Sequence, residues 1–345
     1  MKASSAAVQG GLAAVALLAA YFTWQKEPEK VPGDVVVLDA RPSEVSLVRY
    51  DDGTRWAEVL RDGAGSWVKY GARPAPPKPP GPAADGGTAS PDGGTAQQKV
   101  RPPDPFVMAP VERQLRGNDL AGKLLERFAP LYGSRALGTL PKEKVAELGL
   151  ADTPRRLEVT VKGARRTFKV SAASVSVSAP YLLDEADGHV YLVPQTVVAD
   201  LDAASARLVE RRFHEFRQDE VDGFSVRAGD KERVFTQSGS FSAGFKVAAK
   251  ASPDKPDELA KAWIDRVWRF IPTEILGKGE DPADGQPQVE ARVEFLRSGN
   301  ALGWLELARL GANGLWIRTE HTAGWVKVHL GATDVLPDAK KLAGQ

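Results

Sequence analysis

The sequence contains no cysteine among its 345 residues, and this absence removes several classes of chemistry at once. Disulfide bridges, thiol nucleophiles, cysteine-ligated zinc and lipid attachment through an N-terminal cysteine are all excluded. A chain of this length is able to form two ordinary domains, each with its own buried core. We therefore expect apolar burial alone to hold the fold together.

The chain also lacks a surplus of charge, because 46 Lys and Arg balance 45 Asp and Glu to a formal net charge of +1. Proteins that bind nucleic acid usually present a strongly basic face. The composition therefore predicts no nucleic-acid partner.

Histidine is scarce, with His189, His214, His321 and His329 as the four residues of this type. None of them forms HxH, HxxxH or HExxH, the spacings that bring two imidazoles to one metal ion. His189 and His321 fall near expected hairpin turns, where a solvated side chain is the ordinary outcome. No Gly-rich turn closes in the Gly-Lys-Ser/Thr of a phosphate-binding loop. The sequence thus predicts no catalytic residue, no metal and no cofactor, and hence a protein that is not an enzyme.

One long apolar run lies at the N-terminus, from Ala7 to Trp24. Counted from Ala3 it reaches roughly 20 residues, which is enough for a helix to cross a bilayer. The side chains expected to form the anchor are Leu12, Val15, Leu17, Leu18, Tyr21, Phe22 and Trp24. The aromatic residues at its end favour the membrane–water boundary and leave no small-residue cleavage site. We predict an uncleaved signal anchor over residues 1–25, with a cleavable signal peptide as the alternative.

The orientation of this anchor follows from the sizes of the two flanking parts. Lys2 precedes the run, while Lys26 and Lys30 follow it, so the positive-inside rule hardly discriminates. A short N-terminal stub with a large C-terminal body favours export of the body. We expect a single-pass protein of the inner (cytoplasmic) membrane with its C-terminal body in the periplasm.

Composition changes sharply over residues 72–105, which are almost entirely Pro, Gly, Ala, Ser, Thr and Asp. Such a segment lacks the apolar side chains that would offset the entropy of ordering. The pentapeptide DGGTA occurs twice within it. We predict a disordered loop insertion, and a spacer that threads the cell wall is the alternative.

The rest of the chain reads as antiparallel hairpins with a few helices, an α+β fold. Turn signals stand at Asp51–Gly53 and Asp62–Gly65, and two further hairpins are expected around Lys162–Gly163 and Asp184–Gly188. Apolar spacing predicts a helix over residues 110–131, a short helix at 142–150 that ends at Gly149, and a helical segment over 195–213.

The order of these elements begins again at Glu220. Strands, a helix, a short strand and two hairpins follow one another in 220–341 as they do from Glu44 onward. The chain thus predicts a duplication of the form A-B-A′-B′, with a first α+β repeat domain over 34–216 and a second over 217–341. The Pro-rich insertion would lie inside the first repeat, where the second has only residues 249–258.

Tryptophan is the remaining signal for a binding surface. Trp263 and Trp268 fall on the second long helix, and Trp304, Trp316 and Trp325 fall in the last sheet. Their alternation with aliphatic residues is typical of core packing. Exposed rings would instead suit binding of glycans or of a partner.

Residues Ala146 to Leu201 contain "AELGLADTPRRLEVTVKG" and "APYLLDEADGHVYLVPQTVVADL". These passages, with "LVERRFHEFRQDEVDGFSV" after them, resemble the bacterial domain-of-unknown-function family 4340 from Asp34 to about Leu276, and more weakly beyond. The resemblance implies one N-terminal membrane span and an extracytoplasmic body. It also implies association with gliding-motility-type ABC transporters, beside the permease, the ATPase and a GldG-like auxiliary membrane protein. It supplies no binding residues, and the Pro-rich insertion departs from the family pattern.

A single span does not form a permease, and a chain without a phosphate-binding loop is not the transporter ATPase. We therefore predict a non-enzymatic, membrane-anchored extracytoplasmic accessory subunit of an ABC-type transport complex, which acts through protein–protein contacts. The alternative is an envelope binding module that holds peptidoglycan or polysaccharide through exposed tryptophans.

Overall fold

The computed structural model describes residues 34–63, 65–73, 112–172, 179–240, 244–311, 314–329 and 335–344. The predicted anchor over residues 1–25 lies outside these ranges, as does the Pro/Gly-rich insertion apart from Ala72 and Arg73. Among the residues that are described, no helix is both long and apolar enough to span a bilayer.

Nine antiparallel strands form the first sheet, in the order β5-β4-β3-β2-β8-β9-β10-β11-β7. They are β2 (Val45–Asp51), β3 (Arg55–Asp62), β4 (Gly65–Ala72), β5 (Arg113–Arg116), β7 (Arg135–Thr139), β8 (Arg156–Val161), β9 (Ala164–Val170), β10 (Tyr181–Asp184) and β11 (His189–Leu192). A separate pair joins β1 (Val35–Leu38) to β6 (Leu131–Gly133). The helices among these strands are α1 (Asp119–Arg127), α2 (Lys142–Glu147), α3 (Thr196–Asp202) and α4 (Ala204–Arg207).

Eight antiparallel strands form the second sheet, in the order β14-β13-β12-β16-β17-β18-β19-β15. They are β12 (Gly223–Ala228), β13 (Lys231–Ser240), β14 (Gly244–Ala249), β15 (Pro272–Ile275), β16 (Gln288–Arg297), β17 (Asn300–Leu310), β18 (Gly314–Thr319) and β19 (Val326–Val328). Two helices accompany them, α5 (Glu258–Trp268) and α6 (Val335–Ala343). The predicted α+β class with antiparallel strands is confirmed.

The two sheets have the same strand order once β5 is set aside. In both, three consecutive strands lie on one side of the centre and four more on the other. The far edge is closed by a strand, β7 or β15, that follows the long helix in the sequence and precedes the group of four. A 3₁₀ turn precedes the first strand of each sheet, at Pro42–Glu44 and Gln218–Glu220. The counterpart of β5 in the second sheet is a single bridge between Ala248 and Pro256.

Each sheet buries one face against its own helices. The helix α1 begins where the Asn118 side chain accepts hydrogen bonds from Leu120 N and Ala121 N, at 3.0 and 3.2 Å. Its buried side chains, Leu124 and Leu125, join the core of the first sheet. In α5, Trp263 is fully buried and donates its indole N–H to Val335 O at 2.8 Å, which ties α5 to α6.

The expectation of a continuous helix over residues 110–131 is wrong in its first part. Arg113–Arg116 is the edge strand β5, where Leu115 is buried opposite Val68. The helix starts only after Gly117, because the Asn118 cap satisfies the first amide groups there. The helical segment expected over 195–213 also ends early, at Arg207.

Shortening the connection between β4 and β5 tests whether the insertion adds to stability. The paired ends Tyr70 and Arg113 are already adjacent, so replacing residues 75–110 by Gly-Asn-Gly should leave the hairpin intact. The shorter loop lowers the entropic free-energy cost of bringing the two strand ends together by about 1–2 kcal/mol. We expect a melting temperature that is unchanged or raised by up to about 3 °C in calorimetry.

The control is a deletion extended through Arg116, which removes β5 and should lower the melting temperature clearly. A fall of more than about 5 °C for the shorter deletion would show that the inserted segment packs on the body.

Candidate functional site: the cleft between the two sheets

The two sheets are joined through the guanidinium group of Arg113 on the edge strand β5. It donates to Ile275 O at 3.3 Å, to Glu274 Oε1 at 3.2 Å and to Glu280 Oε1 at 3.2 Å. Burial by itself would lower the pKa of Arg113, but the charge of Glu280 and the hydrogen bond with Glu274 raise it above its ordinary value. These three hydrogen bonds fix the orientation of the guanidinium group.

Main-chain contacts reinforce this joint. Lys278 N donates to Gln114 O at 2.9 Å, so the segment after β15 extends the edge of the first sheet. A Cβ atom at Gly277 would come within 3.0 Å of Gln114 N, and one at Gly324 within 2.4 Å of Gly277 O. Position 324 therefore requires glycine, whereas a side chain at position 277 would force the Gln114 main chain to shift by a few tenths of an ångström.

The linker over residues 208–217 passes between the sheets and is bonded on both sides. Toward the first sheet, Glu210 N donates to Arg116 O at 2.8 Å and Asn118 N donates to Leu208 O at 2.9 Å. Toward the second sheet, the Thr319 hydroxyl donates to Phe213 O at 2.6 Å. The linker is thus part of the interface.

A cleft of about 640 Å³ opens beside this linker. Its described walls come from the first sheet, α1 and the linker, with His321 added from the turn between β18 and β19. Its charged and aromatic lining consists of Arg61, Asp62, Trp67, Arg116, Asp119, Glu126, Glu210, Arg212, Glu215 and His321. Ion pairs join Arg212 to Glu210 at 2.7 Å and Arg116 to Glu215 at 3.7 Å. The mouth of the cleft is therefore a polar, charge-paired surface of a kind that suits contact with another protein.

His321, expected to be solvated at a turn, is instead buried at 6% exposure. Its Nδ1 lies 3.3 Å from Glu215 Oε1 and its Nε2 lies 3.6 Å from Glu210 Oε2, without a hydrogen bond to any described atom. The expectation failed because the linker, about 110 residues earlier in the chain, folds over the hairpin that carries His321.

Glu210 is the most perturbed acid of the cleft. Burial acts to raise its pKa, but hydrogen bonds from the Arg212 side chain and from the Arg211 and Arg212 amides more than offset this and lower the pKa to about 2. The ionised carboxylate is thereby stabilised, and it accepts hydrogen bonds from both Arg211 and Arg212 of the linker.

A second histidine–carboxylate pair lies nearby. His214 Nδ1 is 2.8 Å from Glu320 Oε1, and the other carboxylate oxygen accepts from Trp304 N at 2.7 Å. Burial would raise the pKa of Glu320, but the His214 and Trp304 interactions lower it. The imidazole packs against Phe216 and Phe295, with ring centroids 4.7 and 4.8 Å apart.

Within the described part of the chain, no group of three or more His, Asp or Glu side chains could hold a metal ion. The Thr319 hydroxyl close to His321 is already engaged with Phe213 O. The two histidine–carboxylate pairs connect the linker to the second sheet. Sequence reasoning missed them, because Glu210, Glu215 and Glu320 have no motif spacing to either histidine.

The tryptophans divide into a buried and a half-buried set. Trp263, Trp316 and Trp325 are buried, as core packing predicts. Trp268 and Trp304 are half-buried, and the Arg292 guanidinium lies 4.5 Å from the Trp304 ring centroid. Trp325 lies one residue before β19 rather than in a strand.

Comparison with protein-family models, with curated proteins and with solved structures finds no match for this chain.

Replacing Glu210 by Gln tests how much the charge of this carboxylate stabilises the fold. Since the folded-state pKa of about 2 lies below the ordinary value of 4.5, the carboxylate stabilises the fold above pH 4.5. That stabilisation is lost as the pH falls from 4.5 toward 2. We expect Glu210→Gln to lower the free energy of unfolding by about 2 kcal/mol at pH 7, measured by urea titration.

The same substitution should make little difference near pH 2, where Glu210 becomes protonated in both states. The control is Glu126→Gln, at an exposed position in the wall of the same cleft. Equal losses for both variants, or a loss for Glu210→Gln that does not vary with pH, would contradict the assigned role.

Proposed function

We propose that this protein is a membrane-anchored extracytoplasmic accessory subunit of an ABC-type transport complex, and that it acts through protein–protein contacts rather than catalysis. The resemblance over Asp34 to about Leu276 and the apolar N-terminal run support this proposal. The anchor would place the chain in the inner membrane with its body in the periplasm. The partners would be the permease, the ATPase and a GldG-like auxiliary membrane protein.

The body itself we propose to be an internal duplication, with repeats over 34–216 and 217–341. The shared strand order of the two sheets supports this origin, as does the 3₁₀ turn that precedes each. Two similar units, joined through Arg113 and the linker, would present a combined surface to a large membrane complex.

The covering of the half-buried tryptophans is the observation that favours a protein partner over a glycan. Arg49 lies 4.5 Å above the Trp56 ring, and the Trp67 ring has Lys278 at 5.5 Å. The Arg292 guanidinium covers the Trp304 ring in the same way. A sugar needs an open aromatic face, and none of the described tryptophans is exposed. The peptidoglycan- or polysaccharide-binding alternative is therefore the weaker one.

The cleft between the sheets is the surface we assign to the partner. Its described walls come from the first unit and the bonded linker, with His321 from the second unit. A partner seated there would contact charged residues at the rim, where substitutions change association more than folding.

A pull-down from mild detergent, read by mass spectrometry, tests the proposal. We expect the permease and ATPase to co-purify with the intact chain. Reversal of the rim charges by Arg61→Glu should reduce their recovery, while the matched change Arg135→Glu on the distant strand β7 should not. Recovery of neither protein, together with sedimentation of the chain on isolated peptidoglycan, would favour the alternative.

Replacing Leu17 and Leu18 by Arg tests the anchor directly. Each charge in the middle of a span costs about 2.5–3.5 kcal/mol of insertion free energy. The total of roughly 5–7 kcal/mol should exceed the gain from a run rich in Ala and Leu. We expect the variant to accumulate as soluble protein on fractionation. Continued sedimentation with membranes after a salt wash would show that another part of the chain holds it there.

A further inference from the structure

A second cavity, of about 290 Å³, lies on the far side of the linker and is distinct from the cleft. Its walls come from the linker, the end of α5 and the strands β16 and β17. The lining residues with aromatic or cationic side chains are Arg211, Arg212, Phe213, His214, Phe216, Arg217, Trp268, Phe270 and Phe295. This concentration of rings differs from the charge-paired walls of the cleft.

The volume sets the size of a ligand. An apolar cavity of about 150 Å³ holds a benzene molecule, so about 290 Å³ admits a phenyl ring with a short chain. The deepest wall residues, Val267, Phe295 and Leu305, are buried at 2% exposure or less. A phenyl or short aliphatic group would therefore be removed from water on entry.

The indole of Trp268 adds its ring to this apolar wall. Its Nε1 is buried and has no hydrogen-bond acceptor among the described residues. Trp263, on the same helix, donates its indole N–H to Val335 O at 2.8 Å. A donor that a water molecule cannot reach is also out of reach of a ligand in the cavity, so Trp268 contributes the carbon atoms of its ring to the wall.

The charges around the cavity are all of one sign, since three arginines and no carboxylate line it. Arg212 is bound by Glu210 and Asp119, at 2.7 and 3.5 Å. Arg217 lies 3.4 Å from Asp219. Among the described residues, only Arg211 of the three has no carboxylate oxygen within 4.0 Å of its side-chain nitrogens. It is therefore the cation left to pair with an anion that enters the cavity.

We propose that this cavity binds a carboxylate that carries an aromatic or short aliphatic group. The apolar group would lie between Phe216, Trp268 and Phe295, and the carboxylate would pair with Arg211. This site does not depend on the accessory role proposed above, because its chemistry resides in the second sheet and the linker alone.

The experiment is ¹⁹F NMR of the full chain, labelled with 5-fluorotryptophan and held in lipid nanodiscs, titrated with 3-phenylpropionate. Trp268→Phe assigns the Trp268 resonance. We expect that resonance to shift with saturation while the Trp263 resonance stays in place. The neutral 3-phenylpropionamide, which has the same shape, should bind about tenfold more weakly.

A matched pair of variants separates a specific site from general stickiness. Arg211→Met should weaken phenylpropionate binding by about threefold to tenfold and leave the amide unchanged. Arg135→Met removes an exposed arginine from the distant strand β7 and should change neither affinity. An unmoved Trp268 resonance, equal binding of acid and amide, or equal effects of the two variants would each overturn the proposal.

Two peptides distinguish the sources of such a ligand. Acetyl-Gly-Ser-Phe with a free carboxyl end presents the same chemistry as the terminus of a polypeptide, and its amidated form is the control. Tighter binding than 3-phenylpropionate by the free acid alone would assign the cavity to a protein C-terminus. Weaker binding than 3-phenylpropionate would assign it to small carboxylates.

Discussion

The contact of Arg113 with Glu274, Glu280 and Ile275 O is the constraint on which the arrangement of the two sheets depends. Its side chain is only 20% exposed, so its charge has to be compensated by the second sheet. Removing either carboxylate would leave a partly buried cation with fewer partners, which costs far more than a surface ion pair contributes. This joint and the hydrogen bonds of the linker together hold the two sheets in place.

The two sheets differ at one edge, and this difference explains why the Arg113 contact forms at the first sheet and has no counterpart at the described edge of the second. The first sheet ends in β5, a strand whose Gln114 carbonyl accepts from Lys278 N and which carries the charged side chain of Arg113. At the corresponding place the second sheet has a single bridge to Pro256, which has no N–H to donate. A proline at an edge stops further strand addition. The two sheets share a strand order, yet only the β5 edge of the first sheet contacts the other unit among the described residues.

Much of the fold is encoded locally and was therefore predictable from the sequence. The β8–β9 hairpin turns at Lys162 and Gly163, both with positive φ, and the strands on either side alternate as a half-buried sheet requires. Strand β5 was not predictable, because the spacing of Val111 and Leu115 suits a helix as well as a strand. Its partner β4 lies beyond the Pro-rich insertion, so the pairing has no local signal.

The candidate sites were hidden for a related reason, since both depend on how residues 208–217 cross the gap between the sheets. That segment reads as a continuation of the preceding helix, yet its main chain is bonded to both sides. Arg212 lines the cleft and the aromatic cavity alike, and Glu210 fixes its position. This one short segment therefore sets the geometry of two surfaces of opposite character, a polar one beside the first sheet and an aromatic one built on the second.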